Sequence, residues 1–95
     1  MQKEAAKILI VEDEPAMAFI LKKLITDMGY SVCASVVSGE ESIIEAEKHM
    51  PDLVLMDINL EGEMDGIEAA EIILTKFGIP VIYATADGEE ETVNS

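Results

Sequence analysis

Three carboxylates stand where apolar runs stop. Glu12 and Asp13 follow Lys7-Ile-Leu-Ile-Val11, and Asp57 follows Leu53-Val-Leu-Met56. After Lys7 and Asp52, neither run carries charge until its acidic end. Both read as buried parallel strands. In an open α/β sheet the carboxyl ends of neighbouring strands form the ligand crevice. Three carboxylates meeting there repel, and one takes up a proton unless a cation joins them. The chemistry expected is an oxygen-lined Mg²⁺ site. Asp57, alone at the end of its strand, is the expected reactive carboxylate.

The rest of the chain supplies the elements that must hold those acids. The first strand is expected over Lys7 to Val11, after a short lead-in. Glu14-Pro15 starts a helix, with proline suited to the first turn. Met17, Ile20, Leu21, Leu24, Ile25 and Met28 recur at helical spacing and predict one apolar face, and Gly29 stops the helix. A valine-rich second strand is expected over Tyr30 to Val37. Ser38-Gly-Glu-Glu41 has capping-box spacing and opens a second helix that Pro51 ends. Ile43, Ile44, Ala46 and Met50 are its expected buried face. The third strand runs from Leu53 to Asp57, and a glycine-containing acidic loop spans Ile58 to Asp65. A third helix is expected over Ile67 to Phe77, with Ile67, Ala70, Ile73, Leu74 and Phe77 inward and Gly78 as its stop. Pro80 to Thr85 is the fourth strand. Strict alternation of strand and helix implies a parallel sheet covered on both faces.

Composition narrows the function classes. Ninety-five residues at 49% apolar and 27% charged fit one globular domain. The net charge of −14 argues against direct nucleic-acid binding, which needs cations to neutralise phosphates. It disfavours anionic membrane surfaces equally, so partners are expected to bring a basic or apolar docking face. The apolar runs are too short to span a bilayer, and Met-Gln-Lys-Glu has no signal-peptide core. The expected location is the cytoplasm. Cys33 is the single cysteine and reads as a small core residue. His49, near a helix end, reads as structural or solvated.

Taken together, these runs resemble the receiver domain of two-component response regulators. The motifs are Ile-Val-Glu-Asp-Glu at 10–14, Leu-Val-Leu-Met-Asp-Ile at 53–58, Asp65-Gly66 opening a helix, and Ile-Pro-Val-Ile-Tyr-Ala-Thr-Ala at 79–86. The resemblance implies a receiver domain over residues 1–95 with a flavodoxin-like, doubly wound parallel sheet of order 2-1-3-4, a fifth strand to follow. It implies phosphoryl transfer from a histidine kinase or phosphotransfer protein to Asp57, a regulatory role rather than an enzymatic one, and an output domain, attached or separate. A homodimer is also compatible with it. The implied metal ligands are Asp13 and Asp57 directly, Glu12 through a water, and the backbone carbonyl of Asn59. Thr85 matches the family's switch hydroxyl. Ala86 leaves room for the phosphoryl group, and Asn59 and Asp87 flank the path of the hydrolytic water.

Two departures from the family pattern stand out. The family's lysine after the fifth strand has no counterpart, because lysines 3, 7, 22, 23, 48 and 76 match no such strand end. The expectation is that the protein continues past residue 95 and carries it there. The loop Leu60-Glu-Gly-Glu-Met64 replaces a shorter, proline-containing turn common in the family. Two rival functions fit part of the pattern. A degenerate receiver would act as a phosphorylation-independent interaction module. A Mg²⁺-dependent phosphatase with an aspartyl nucleophile would want a second acid two residues on, where this chain has Asn59. Glu12 and Asp13 could also do no more than favour a helix N-terminus.

Overall fold

The structure is a computed structural model that describes residues 5–60 and 62–84. Strands β1 (Lys7–Val11), β2 (Ser31–Val36), β3 (Leu53–Met56) and β4 (Val81–Tyr83) alternate with helices α1 (Pro15–Asp27), α2 (Gly39–His49) and α3 (Gly66–Phe77). All strand pairings are parallel, in the order β2-β1-β3-β4. The doubly wound α/β sheet expected from the sequence is therefore present.

Period-two alternation sorts the strand side chains between two cores. Leu9, Val11, Val54 and Met56 point to one face, where Ala46 of α2 and Ala69, Ala70 and Ile73 of α3 cover them. Ile8 and Ile10 point to the other, against Ile25 of α1. Burial on both faces is why β1 and β3 are apolar throughout their middles rather than alternating.

Local chemistry fixes the helix starts. Ser38 Oγ accepts a hydrogen bond from the Glu41 N–H at 3.1 Å, and Glu41 reaches back to the Val37 N–H at 3.2 Å. Asp65 accepts from the Glu68 N–H at 2.9 Å and caps α3, which begins at Gly66, one residue earlier than expected. Gly78, at φ 71°, ends α3 in the left-handed region that glycine enters freely.

The helix faces differ from expectation. Of the six apolar residues assigned inward on α1, only Ile25 is buried, with Met17 and Leu21 half-buried. Ile20, Leu24 and Met28 stay exposed. The reason is lateral: among the described residues α1 is the only helix on its side of the sheet, so the flank of its stripe has no neighbour. Leu24 and Met28 instead edge an apolar hollow of about 380 Å³ over Leu53 and Leu55. Ile44, Ile67 and Leu74 are exposed as well. Met50 is exposed because it is the left-handed C-cap of α2, at φ 47°, rather than part of its inner face.

Candidate functional site

The sheet's hydrogen bonding carries the acids to one place. The Glu12 N–H donates to Val36 O at 3.0 Å, continuing β1 along β2. The Asp57 N–H donates to Val11 O at 2.9 Å, continuing β3 along β1. Glu12 and Asp57 thus leave the carboxyl ends of two adjacent central strands. One carboxylate oxygen from each of Glu12, Asp13 and Asp57 falls within 4.8 Å of the others.

These side chains are held out of water. Glu12 is 2% exposed and Asp57 7%, with Asp13 half-buried at the rim. Glu12 Oε2 accepts the Glu14 N–H at 3.2 Å, so one oxygen does serve the start of α1. Glu12 Oε1 is buried and accepts from no N–H or O–H group. Burial pushes the Glu12 carboxyl up to about 7; the Glu14 N–H opposes that, and the neighbouring Asp57 carboxylate adds to it by its charge and by accepting a hydrogen bond from the protonated form of Glu12.

The donor set fits a hard dication. Mg²⁺ takes oxygen ligands and few of them from protein, and a cation among three carboxylates removes both their repulsion and the cost of a bare buried oxygen. The orphaned Glu12 Oε1, inside a cluster of three acids, is the feature that a helix-capping role alone leaves unexplained.

Asp57 is further oriented by the turn that follows it. The Asn59 N–H donates to Asp57 Oδ1 at 3.1 Å, an Asx-type turn in which Asn59 itself is exposed. The Gly66 N–H donates to Ile58 O at 3.1 Å, tying α3 to the same turn. On the far side, the Ala84 N–H donates to Met56 O at 2.9 Å, so β4 runs out beside Asp57. Thr85, Ala86 and Asp87 lie outside the described residues. An open cleft lined by Asp13, Glu14, Pro15, Val37, Ser38 and Gly62 leads to the acids from the α1 and α2 side.

One residue at the site had a sequence signal of another kind. Gly66 was legible as the start of a helix, not as a neighbour of Asp57. A Cβ at Gly66 would overlap the Asp57 carbonyl oxygen, and it would lie 2.9 Å from both the Asp57 carbonyl carbon and Ile58 Cα. Close approach of two backbones leaves no trace in hydrophobic periodicity.

A parallel sheet of this order, with acids gathered at its carboxyl edge, defines a doubly wound α/β domain with its ligand crevice at the strand ends. The chain belongs to the response regulator receiver domain family, which it matches over residues 8–95. It is 34% identical over 87 residues to the transcriptional regulatory protein PdtaR of Mycobacterium tuberculosis, covering 92% of this chain and 42% of that protein. It is 37% identical over 83 residues to the phyllosphere-induced regulator PhyR of Methylorubrum extorquens, covering 86% of this chain and 31% of that one. Among solved structures, the signal receiver domain of a modulated diguanylate cyclase from Desulfovibrio desulfuricans G20 superposes with a TM-score of 0.84 at 32% identity, covering 95% of this chain and 69% of that chain. The chain therefore spans less than half the length of PdtaR and PhyR. No described helix is long and apolar enough to cross a membrane.

Proposed function

We propose that this receiver domain is a phosphoacceptor that takes a phosphoryl group onto Asp57 from the phosphohistidine of a histidine kinase or phosphotransfer protein. A carboxylate oxygen of Asp57 attacks phosphorus as the phosphorus–nitrogen bond to the donor imidazole breaks, and the imidazole takes a proton from solvent. Asp13 and Asp57 would hold Mg²⁺ directly, with Glu12 acting through a water and the Asn59 carbonyl as a further ligand. Bound Mg²⁺ would supply positive charge against the repulsion between a carboxylate and an anionic phosphoryl group. The chain's own part is positional. The β1 and β3 termini bring the acids together, and the Asn59 N–H holds Oδ1 of Asp57.

Downstream, Thr85 would donate its hydroxyl to the phosphoryl group, Ala86 would leave space for it, and Asn59 and Asp87 would flank the hydrolytic water. Phosphorylation adds about −1.5 to −2 charges by analogy with other phosphorylated side chains, and so biases a two-state element toward an output partner or domain. On this reading the domain is regulatory, works in the cytoplasm, and catalyses at most its own phosphorylation and dephosphorylation. The observation that carries the proposal is the convergence of Glu12, Asp13 and Asp57 around a buried, unpartnered oxygen.

The test is intact mass after incubation with Mg²⁺ and acetyl phosphate, on the wild type and on Asp57→Asn. One added phosphoryl group, dependent on metal and lost in the variant, is the expected result. A folded wild-type protein that gains no mass would favour the phosphorylation-independent interaction module.

A further inference from the structure

We propose that Gly66 is a positioning residue for Asp57: its bare Cα lets the first turn of α3 lie against the Asp57 carbonyl and clamp residues 57–59 in place. The inference rests on the phosphoacceptor reading above and adds a residue to it. Two contacts of one residue make the clamp. The Gly66 N–H donates to Ile58 O at 3.1 Å. Its Cα sits so close to the strand end that any Cβ would collide with the Asp57 carbonyl oxygen and press within 2.9 Å of the Asp57 carbonyl carbon and Ile58 Cα. All three atoms belong to backbone, so no side chain can swing aside to relieve the collision.

The clamped segment is the one that matters. It starts with the Asp57 side chain and ends at Asn59, whose N–H orients Asp57 Oδ1 and whose carbonyl is an expected metal ligand. The Asp57 N–H is already fixed to Val11 O at 2.9 Å, so the strand side of the residue cannot yield. A side chain at position 66 must therefore displace either α3 or the turn at residues 57–59. Asp65, capping α3 through the Glu68 N–H at 2.9 Å, and Ala69 and Ala70, buried on the sheet, hold α3 in place. The turn moves, and with it the attacking oxygen.

The other described glycines show that this is specific to the site. Gly29 and Gly78 have nothing within 4 Å of an added Cβ, and their need for glycine is conformational, at φ 97° and 71°. Gly39 would meet Met64 Cγ, Ala69 Cβ and Met64 O at 3.1–3.2 Å, tight contacts that do not overlap and do not involve residues 57–59, and Gly62, at φ 105°, would meet only the Glu40 carboxylate, at 4.0 Å. Only Gly66, among them, meets the backbone of the acceptor.

Gly66→Ala tests the clamp, with Ile25→Ala in the remote α1 core as the control for lost stability. Initial rates of phosphoryl adduct formation from acetyl phosphate and Mg²⁺ are measured by intact mass, each protein held below its own melting temperature. The expected rate for Gly66→Ala is about 10²-fold below wild type, the scale for roughly 1 Å of misplacement. Ile25→Ala should stay close to wild type. Helix propensity favours alanine over glycine, so a loss runs against the local preference of α3. A folded Gly66→Ala with an unchanged rate overturns the clamp and leaves the phosphoacceptor reading intact. A wild type that takes no phosphoryl group overturns both. Hydrogen exchange on the wild type decides the matter if Gly66→Ala does not fold. If metal and clamp order the same turn they are reciprocally coupled, so Mg²⁺ should slow exchange of the Gly66 amide by more than that of the core amide of Ala46 in α2, which reports global stabilisation alone. Slowing at Gly66 no greater than at Ala46 overturns the inference.

Discussion

Glu12 is under two opposing demands. It ends a buried strand, where a neutral acid is cheapest, and it faces Asp57, where a cation would keep it charged. Without metal, burial holds its carboxyl at about 7, against an ordinary 4.5. Between those values the folded protein binds a proton that the unfolded chain has released. Stability of the metal-free protein must then fall as pH rises from about 4.5 through about 7. Thermal melts in a chelator across that range should show it. Glu12→Gln should flatten this part of the profile, since its amide does not titrate, and should weaken Mg²⁺ binding read by the Mg²⁺-dependent rise in melting temperature. A wild-type profile that is flat or rising across the window would show that Glu12 is solvated or already paired with a cation. Charge at this one position thus links the local cost of burial to the proposed cofactor.

At the scale of elements, capping and core burial fix where the acids end up. Ser38 and Asp65 each hold one N–H of the first helical turn, at 3.1 and 2.9 Å. Replacing either with alanine should cost about 1 kcal/mol in a denaturant titration. Ile73, fully buried between α3 and the sheet, should cost about 2–5 kcal/mol on truncation to alanine, unless α3 collapses into the space. Equal costs for Ser38→Ala and Ile73→Ala would mean that α3 does not pack as described. These elements were plainly legible in the sequence, because caps and apolar runs are local. Every described strand and helix begins within two residues of its expected start, and Glu12, Asp13 and Asp57 meet as their strand-end positions implied. Two things were not legible. Which half of an apolar helical stripe is covered depends on neighbouring elements, so Leu24 and Leu74 look like core in sequence and lie exposed in the fold. Gly66 shares a motif with Asp65, but its contact with Asp57 is made across the chain by backbone alone.

Across the whole molecule, the charge of −14 sets how the site responds to ions. Among the described residues, Lys23 lies 3.4 Å from Asp27 and His49 Nε2 lies 3.0 Å from Glu45, both between residues one helical turn apart. Such pairs contribute little, roughly 0.3–0.5 kcal/mol each, and leave the long-range repulsion in place. Salt of any kind should therefore raise the melting temperature by screening. Mg²⁺ should do more than an equal ionic strength of NaCl, because a ligand that binds only the folded state adds stability by mass action, about 2.7 kcal/mol at a hundredfold excess over its Kd. The two contributions separate by substitution. Asp13→Asn lowers the net negative charge by one and should leave the NaCl response nearly intact, since 13 other units of excess charge remain. It removes one of three converging carboxylates and should abolish most of the Mg²⁺ excess. Differential scanning fluorimetry with NaCl and MgCl₂ at matched ionic strength reads both at once. If the wild type responds identically to the two salts, its acids form a diffuse acidic surface and hold no metal. If Asp13→Asn keeps the Mg²⁺ excess, the ion binds away from the strand ends and the proposed ligand set is wrong.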